Sequence, residues 1–228
     1  MTDMKPTNYD AGFFDDGRRY FAKGLPAWKE FVLNDLGAKS LADFGCGQGD
    51  WLEPLKNDIP IWGCDYGADE SQLRIPLSDF LKVDLTKMGP KDLNVGKRDV
   101  VMSLEAMEHL EYVHEDNFMD CLLSPDPRLV VFGVASGYGT YDPTKFKTNR
   151  LGEKVPGGDD WHMQFGRHHV NCQPVDVVIE KMRKRGYVVD DALSDQFRTL
   201  KVPGKTRKLV YAFAGFYRKN TRVYRKVA

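Results

Sequence analysis

The chain has 228 residues, and its 33 lysines and arginines balance 33 aspartates and glutamates. This length suits one domain with a sizeable core, and the balanced charge excludes a global field that would draw the protein to nucleic acid or to a membrane surface. Four cysteines without C-x-x-C spacing are typical of reduced, buried thiols in a cytoplasmic protein, as we expect for Cys46, Cys64, Cys121 and Cys172.

The chain begins with a segment of 20 residues that is rich in aromatic and acidic side chains between Tyr9 and Gly17. We expect these residues to fold over a ligand as a lid, or else to form a solvated leader. Residues 21–36 then carry apolar side chains at helical spacing, which predicts an amphipathic helix ahead of the first strand. Pro26 favours a helix start close to it, since the first helical turn accommodates proline.

A glycine-rich turn follows a short apolar strand at 41–44, which has Asp43 near its carboxyl end. The missing side chains of the glycines let backbone N–H groups come close to a ligand. A helix whose apolar face contains Trp51, Leu52 and Leu55 should begin directly after the turn. A strand, a glycine turn and a helix in this order are typical of a nucleotide-binding site. The glycines of the turn are Gly45, Gly47 and Gly49.

The spacing of these glycines narrows the class of ligand. It is G-x-G-x-G rather than the G-x-G-x-x-G of dinucleotide sites, which disfavours an NAD-dependent dehydrogenase. The lysine and hydroxyl that follow the glycines of a P-loop are absent as well. Asp50 puts a negative charge where a pyrophosphate would otherwise lie. The pattern therefore favours a ligand that has no phosphates and carries a positive centre.

The run Asp-x-Gly-x-Gly-x-Gly over residues 43–49 resembles motif I of the class I S-adenosylmethionine (SAM)-dependent methyltransferases. This resemblance implies that the turn holds the amino-acid end of SAM and that S-adenosyl-L-homocysteine is the product. It identifies Asp43, Gly45, Cys46, Gly47 and Gly49 as candidate cofactor-binding residues.

Two further strands, at 59–66 and 80–85, are predicted to end in acids. Asp65 lies about 20 residues after the glycines, where a carboxylate accepts hydrogen bonds from ribose hydroxyls, and Tyr66 follows it. The resemblance implies that Asp84 contacts the adenine amino group and that the backbone at Leu85 reads the ring. The alternatives are a solvated turn acid for Asp65 and a loop-capping acid for Asp84.

The fourth predicted strand, at 99–104, leads into Glu105-Ala-Met-Glu108-His109. This run resembles the E-x-x-E-H signature of many small-molecule and quinone-type methyltransferases, and it adds Glu105 to the cofactor set. His109 is either a substrate-side residue or a structural histidine. The first histidine of a zinc-binding H-E-x-x-H motif is absent, so the sequence predicts no metal site here.

The remainder of the chain fits a Rossmann-like, doubly wound sheet. We predict helices ending at Leu123 and spanning 175–185, a fifth parallel strand at 128–134, and two final strands at 187–190 and 208–217 that pair antiparallel. The expected fold is a seven-stranded α/β sheet, mostly parallel with an antiparallel C-terminal closing strand. Residues 1–228 should form one methyltransferase domain.

The acceptor side is predicted from a long segment without clear periodicity. Residues 136–173 should form a substrate-side insertion, and five aromatic-type side chains favour an ordered binding loop. The segment ends in a run, 167–174, that holds two adjacent histidines and is weakly similar to an H-V-N-x-Q-P run in methyltransferases of phage and bacterial gene clusters. The five side chains are Tyr138, Tyr141, Trp161, His162 and Phe165.

His168 and His169 are candidate general bases, together with His109, that would accept a proton from an acceptor hydroxyl. Adjacent side chains point in different directions, so the two are not expected to share a metal ion. The alternative is loop packing and helix capping, with Asn171 as the cap.

These features predict transfer of a methyl group from SAM to a hydroxyl or amine of a small molecule, such as a sugar or a secondary metabolite. A first alternative is an RNA methyltransferase, because aromatic and basic residues alternate in the C-terminal run 217–226 and suit stacking on bases. A second alternative is a non-catalytic SAM-binding partner subunit. The intact acids and glycines argue against such a decayed site.

Overall fold

The computed structural model of the protein describes Arg18 and residues 21–148, 152, 154–158, 161–163, 169–201, 213 and 215–227. The predicted N-terminal lid, apart from Arg18, therefore lies outside the described residues, and so does His168. Within the described parts of the chain, no helix is long and apolar enough to cross a membrane.

Seven strands form one sheet in the order β10-β11-β5-β4-β1-β2-β3. Strands β1 to β5 are parallel, whereas β11 pairs antiparallel with both β5 and β10. The predicted fold class is confirmed. The strands are β1 (Leu41–Phe44), β2 (Ile61–Asp65), β3 (Phe80–Lys82), β4 (Val100–Leu104), β5 (Leu129–Gly133), β10 (Tyr187–Val189) and β11 (Arg222–Lys226).

Alternating side chains of the central strands bury both faces of the sheet. In β1, Leu41 packs into one apolar core while Ala42 and Phe44 pack into the other. A parallel strand that is covered on both faces must be apolar throughout, which explains the continuous runs of valine and leucine in β4 and β5. Burial of large side chains such as these contributes about 1.5–3 kcal/mol each. The two cores hold the sheet, and its carboxyl edge, in place.

Five α-helices among the described residues cover the two faces. The helix α1 (Leu25–Glu30) has Pro26 in its first turn, as predicted, and continues as a π-helical turn over Phe31–Asp35. Its Trp28 packs in the first core, which also receives Phe197. The second core receives Phe118 and Met182 from the opposite face. The remaining helices are α2 (Glu115–Leu123), α3 (Val175–Lys184), α4 (Asp191–Thr199) and α5 (Gly215–Asn220).

The prediction of the last strand at 208–217 is wrong where the structure describes it, whereas residues 208–212 and 214 lie outside the described residues. The closing strand is β11 (Arg222–Lys226), and Gly215–Asn220 within and beyond the predicted strand is helical. The run 222–226 looks solvated because three of its residues are basic, yet Val223 and Tyr224 are buried on opposite faces of the sheet. Tyr217 is buried too. These tyrosines therefore offer no exposed surface on which RNA bases could stack.

The helix predicted directly after the glycine turn is replaced by turns and a short 3-10 helix at Glu53–Leu55. Pro54 has no N–H to donate to the carbonyl four residues earlier, so a regular α-helix cannot form across this point. Trp51, Leu52 and Leu55 are nevertheless buried, as their apolar character predicted.

Among its described residues, the segment predicted as a substrate-side insertion contains two small antiparallel sheets. Strand β6 (Gly137–Tyr138) pairs with β9 (His162–Met163), and β7 (Phe146–Thr148) pairs with β8 (Lys154–Pro156). A Cβ atom at Gly137 would lie 2.3 Å from the carbonyl oxygen of His162, so only glycine permits this approach.

Candidate functional site

The candidate site lies at the carboxyl edge of the parallel strands. Connections from β1 and from β4 run in opposite directions along the sheet, which places the topological switch point between these two neighbours. Ligands of open α/β sheets bind at such a point, outside the carboxyl ends of the strands. Gly45 follows β1, and Asp65 is the last residue of β2. Asp84 follows β3, and Glu105 follows β4.

The three glycines of the turn have positive φ angles of 81° at Gly45, 54° at Gly47 and 83° at Gly49. Residues that carry a side chain rarely adopt this left-handed backbone conformation, because it costs a residue other than glycine about 1–3 kcal/mol. Space is limited as well, because a Cβ atom at Gly45 would lie 2.5 Å from Cβ of Ala106. The turn is therefore a tight backbone loop packed against the segment that follows β4.

Asp65 holds this turn against the end of β2. Its carboxylate accepts hydrogen bonds from the N–H groups of Gly47 at 2.9 Å, Gly67 at 2.7 Å and Ala68 at 3.2 Å. Burial raises the pKa of Asp65, although these three hydrogen bonds oppose the rise. The acid is thus a structural partner of the glycine turn at the position where ribose recognition was predicted. Tyr66, beside it, is 56% exposed.

Asp43 is buried in β1, beneath the turn. Burial raises its pKa well above the ordinary value, and the neighbouring charge of Asp65 raises it further. Two acids thus lie close together under the glycine turn. Such a region attracts a positively charged group, which would relieve the repulsion between them.

Asp50 is paired with two arginines. It accepts from Arg18 and lies 2.7 Å from Nε of Arg74. The side chain of Arg18 also reaches Glu53 at 3.3 Å. The charge of Asp50 is thus compensated by arginines of the protein. Asp50 is therefore weaker evidence for a positively charged ligand than the sequence alone indicated. Instead it ties Arg18 to the end of the glycine turn.

Gln48 is a buried amide inside the turn. Neither its Nε2 nor its Oε1 atom has a hydrogen-bond partner among the described residues. An unsatisfied buried amide is costly, and such groups in proteins usually meet a partner. A ligand with an amino and a carboxylate group, such as the methionine end of SAM, would supply both an acceptor and a donor. The tight glycine turn and this amide fit SAM.

Asp84 binds its own loop. Its carboxylate accepts from the N–H and hydroxyl of Thr86 at 3.0 and 2.6 Å and lies 2.9 Å from Nζ of Lys87. Burial would raise its pKa, but these contacts outweigh burial and lower it. These are the contacts of a capping acid, the alternative reading. Leu85 is buried, and its carbonyl accepts from the Asn117 amide at 2.8 Å.

Glu105 and Glu108 lie at the end of β4. Glu105 has a positive φ of 54°, and burial raises its pKa to about 7. Glu108 is fully buried, and burial followed by the charge of Glu105 raises its pKa well above the ordinary value. The N–H groups of Glu108 and Ala135 oppose this rise, but neither reaches hydrogen-bond geometry. The Asn220 amide donates to Glu105 at 3.4 Å.

His109 and His169 meet beside this acid pair. Their ring centroids are 4.9 Å apart with the planes at 81°. Ligand atoms of Glu108, His109 and His169 all lie within 4.8 Å of one another. The sequence reasoning placed both histidines on the acceptor side, but it did not anticipate that they meet Glu108.

A buried polar network lies behind these histidines. Glu115 accepts from Asn171 at 3.3 Å and also from Gln173 and Lys181, while Lys181 donates to Gln173 Oε1 at 2.7 Å. Asn171 therefore belongs to the network and does not cap α3, whose N-cap is Pro174 without a side-chain cap. Sequence reasoning missed Glu115 and Lys181. The alternation of amides at 171 and 173 was the available signal.

No protein-family model matches the chain, and no curated protein matches it either. Among solved structures, a sugar N-methyltransferase from a Streptoalloteichus species is similar with a TM-score of 0.57 and 14% identity, covering 100% of this chain and 97% of that one. The fold is that of the class I methyltransferases.

Two further structures share this methyltransferase fold. A 1,6-didemethyltoxoflavin-N1-methyltransferase from Burkholderia thailandensis, with its acceptor and S-adenosylhomocysteine bound, has a TM-score of 0.53 and 14% identity over 95% of this chain and 85% of that one. A SAM-dependent methyltransferase from Clostridium acetobutylicum has a TM-score of 0.52 and 12% identity over 95% of this chain and 99% of that one. At these identities the likeness concerns the fold.

Proposed function

We propose that the protein transfers a methyl group from SAM to a hydroxyl or amine of a small molecule. The observation that carries this proposal is the glycine turn at the switch point, which combines three positive φ angles with the buried Gln48 amide. Similar folds in a sugar N-methyltransferase and a 1,6-didemethyltoxoflavin-N1-methyltransferase support a small acceptor such as a sugar or a secondary metabolite.

In this proposal the cofactor lies along the carboxyl edge of β1, β2 and β3. Backbone groups of the turn and Gln48 bind the methionine end, Asp65 and Tyr66 face the ribose, and the backbone at Leu85 with Asp84 lies at the adenine. The sulfonium is a strong electrophile, so the protein has to hold the methyl group in line with the acceptor and to exclude water. The cofactor set is completed by Asp43, Cys46 and Glu105.

The acceptor would enter beside the end of β4. His109 and His169 lie there, and either could accept the proton of a hydroxyl acceptor. We propose that residues 136–173 form the substrate-side insertion and that residues 1–20 cover the cofactor. Arg18 supports the second point, since it contacts Asp50 at the end of the glycine turn.

The test is transfer of label from methyl-labelled SAM. The purified full chain is incubated with separate pools of amino sugars, hydroxylated aromatic compounds and total RNA, and products are separated by size. Label in a small-molecule pool is the expected result. Label confined to RNA would overturn the acceptor class, and binding of S-adenosylhomocysteine without transfer to any pool would favour the non-catalytic subunit.

A further inference from the structure

Three side chains on the acceptor side have the composition of a metal site. Ligand atoms of Glu108, His109 and His169 lie within 4.8 Å of one another, although His169 is 60 residues from His109 in the chain. Atoms bound to one cation at about 2.1 Å lie roughly 3–4 Å apart. Side-chain shifts of about 1 Å would therefore bring all three atoms onto a common ion.

Glu108 gives an independent reason to expect a ligand. Its side chain is fully buried, and neither carboxylate oxygen has a hydrogen-bond partner among the described residues. A buried carboxylate without a cationic partner is strongly unfavourable, so such groups in proteins are paired with a cation or coordinate a metal. Glu105 adds a second carboxyl group in side-chain contact with Glu108. A cation between these groups would offset the cost of both.

The backbone prepares this arrangement before any ion binds. The carbonyl of Glu108 accepts from the N–H groups of Val170 at 2.8 Å and Asn171 at 3.0 Å. These two bonds fasten the segment carrying His169 to the segment carrying Glu108 and His109. Asn171 is in turn anchored to Glu115 in the buried network. Support of this kind behind the ligands is a common feature of metal sites.

We propose that Glu108, His109 and His169 bind one divalent transition-metal cation next to the methyl-transfer site. Two imidazoles and one carboxylate suit Mn²⁺, Fe²⁺, Co²⁺ or Zn²⁺ better than Mg²⁺ or Ca²⁺, which prefer all-oxygen sites. Three protein ligands leave coordination positions open, as in catalytic rather than structural sites. The position is close to the cofactor turn, because Ala106 on the same segment packs against Gly45.

This inference rests on the proposed function for its chemical consequence, which is a hydroxyl acceptor rather than an amine. A cation lowers the pKa of an oxygen bound to it, so the acceptor hydroxyl can release its proton to solvent. The oxygen then forms the new C–O bond, while the methyl–sulfur bond of SAM breaks and its electron pair stays on sulfur. His109 and His169 act as ligands in this scheme and not as bases.

The test is metal binding by itself. Untagged full chain, treated with EDTA and dialysed, is titrated calorimetrically with MnCl₂, CoCl₂ and ZnCl₂ without SAM, and the visible absorption of bound Co²⁺ is recorded. We expect one equivalent to bind. His169→Gln and Glu108→Gln should each weaken binding by about a hundredfold or more, since losing a group behind a ligand alone typically costs about 10- to 100-fold. The matched controls Glu111→Gln and His114→Gln should bind as the wild type does.

Titration of the same samples with S-adenosylhomocysteine separates the two proposals. The His169→Gln variant should still bind S-adenosylhomocysteine. Such binding would also show that this variant is folded, so the test stays valid if Glu108→Gln does not fold. Wild type that binds S-adenosylhomocysteine but none of the three metals, or variants that bind metal normally, would overturn the metal site alone. Metal binding without S-adenosylhomocysteine binding would support the metal site and contradict the proposed function.

Discussion

The cofactor side and the acceptor side of the site are built in different ways. The glycine turn is one continuous run of seven residues, 43–49, and Asp65 at the end of the next strand in the chain accepts a hydrogen bond from the N–H of Gly47. The acceptor side joins the segment at 105–109 to the segment at 169–173, and hydrogen bonds from Val170 and Asn171 to Glu108 hold them together. The cofactor side can therefore be predicted from the spacing of residues in the sequence. The acceptor side forms only when distant segments meet in the folded chain.

This difference predicts that damage to the turn abolishes cofactor binding, which is the largest effect we expect. In Gly47→Val a branched side chain enters a position with φ of 54° and would fill the space that we propose for the methionine end of SAM. S-adenosylhomocysteine binding should become undetectable in calorimetry. Gly37→Val is the matched control, since Gly37 has φ of 58° and no atom within 4 Å of an added Cβ. Equal loss in both variants would mean that strain, and not the site, is responsible.

On the acceptor side, the network should show its effect in stability rather than in cofactor affinity. Glu115→Gln leaves Lys181 without its ion-pair partner in a largely buried position, and should lower the free energy of unfolding by about 3 kcal/mol in urea denaturation. The exposed pair Glu180–Arg183 serves as control, and Glu180→Gln should cost less than about 1 kcal/mol. A similar small loss in both variants would show that the network does not hold the acceptor side together.

Substitution of Asp65 tests which part of the cofactor this acid contacts. Asp65→Ala should weaken S-adenosylhomocysteine binding by about 1–3 kcal/mol through lost hydrogen bonds. If the acid contacts the ribose, 5′-methylthioadenosine, which lacks the amino-acid end, should lose a similar amount. A loss restricted to S-adenosylhomocysteine would instead mean that Asp65 acts through Gly47. An unchanged dissociation constant for both ligands would remove Asp65 from the site.

The smallest expected effect is a dependence of stability on pH. The pKa of Glu105 is raised to about 7 in the folded protein, so between its ordinary value and 7 the folded state binds more protons than the unfolded state. Stability should therefore fall as pH rises from 5 to 8. In EDTA, Glu105→Gln should flatten this slope in thermal unfolding, whereas Glu111→Gln should not.

The sequence predicted the parallel part of the sheet because each strand is a short apolar run with an acid or glycine at its end. It failed at β11, where basic residues at the strand ends outweigh Val223 and Tyr224 in any pattern of polarity. It also failed after the glycine turn, where the apolar spacing predicts a helix but Pro54 interrupts its hydrogen bonds.

Within the candidate site, too, the local features could be predicted from the sequence and the long-range contacts could not. The glycines and Asp65 are local, and the structure brings them together as their spacing indicates. The meeting of His169 with His109 and Glu108 depends on how the insertion folds back, and no local pattern encodes it. His168 lies outside the described residues, so its role as a base stays a prediction.

The most direct test of the central claim is calorimetric titration of the wild-type protein with S-adenosylhomocysteine, with NADH as the competing ligand class. Binding of one equivalent of S-adenosylhomocysteine and none of NADH is the predicted result. Binding of NADH alone, or of neither ligand, would contradict a SAM-dependent methyltransferase site at the glycine turn.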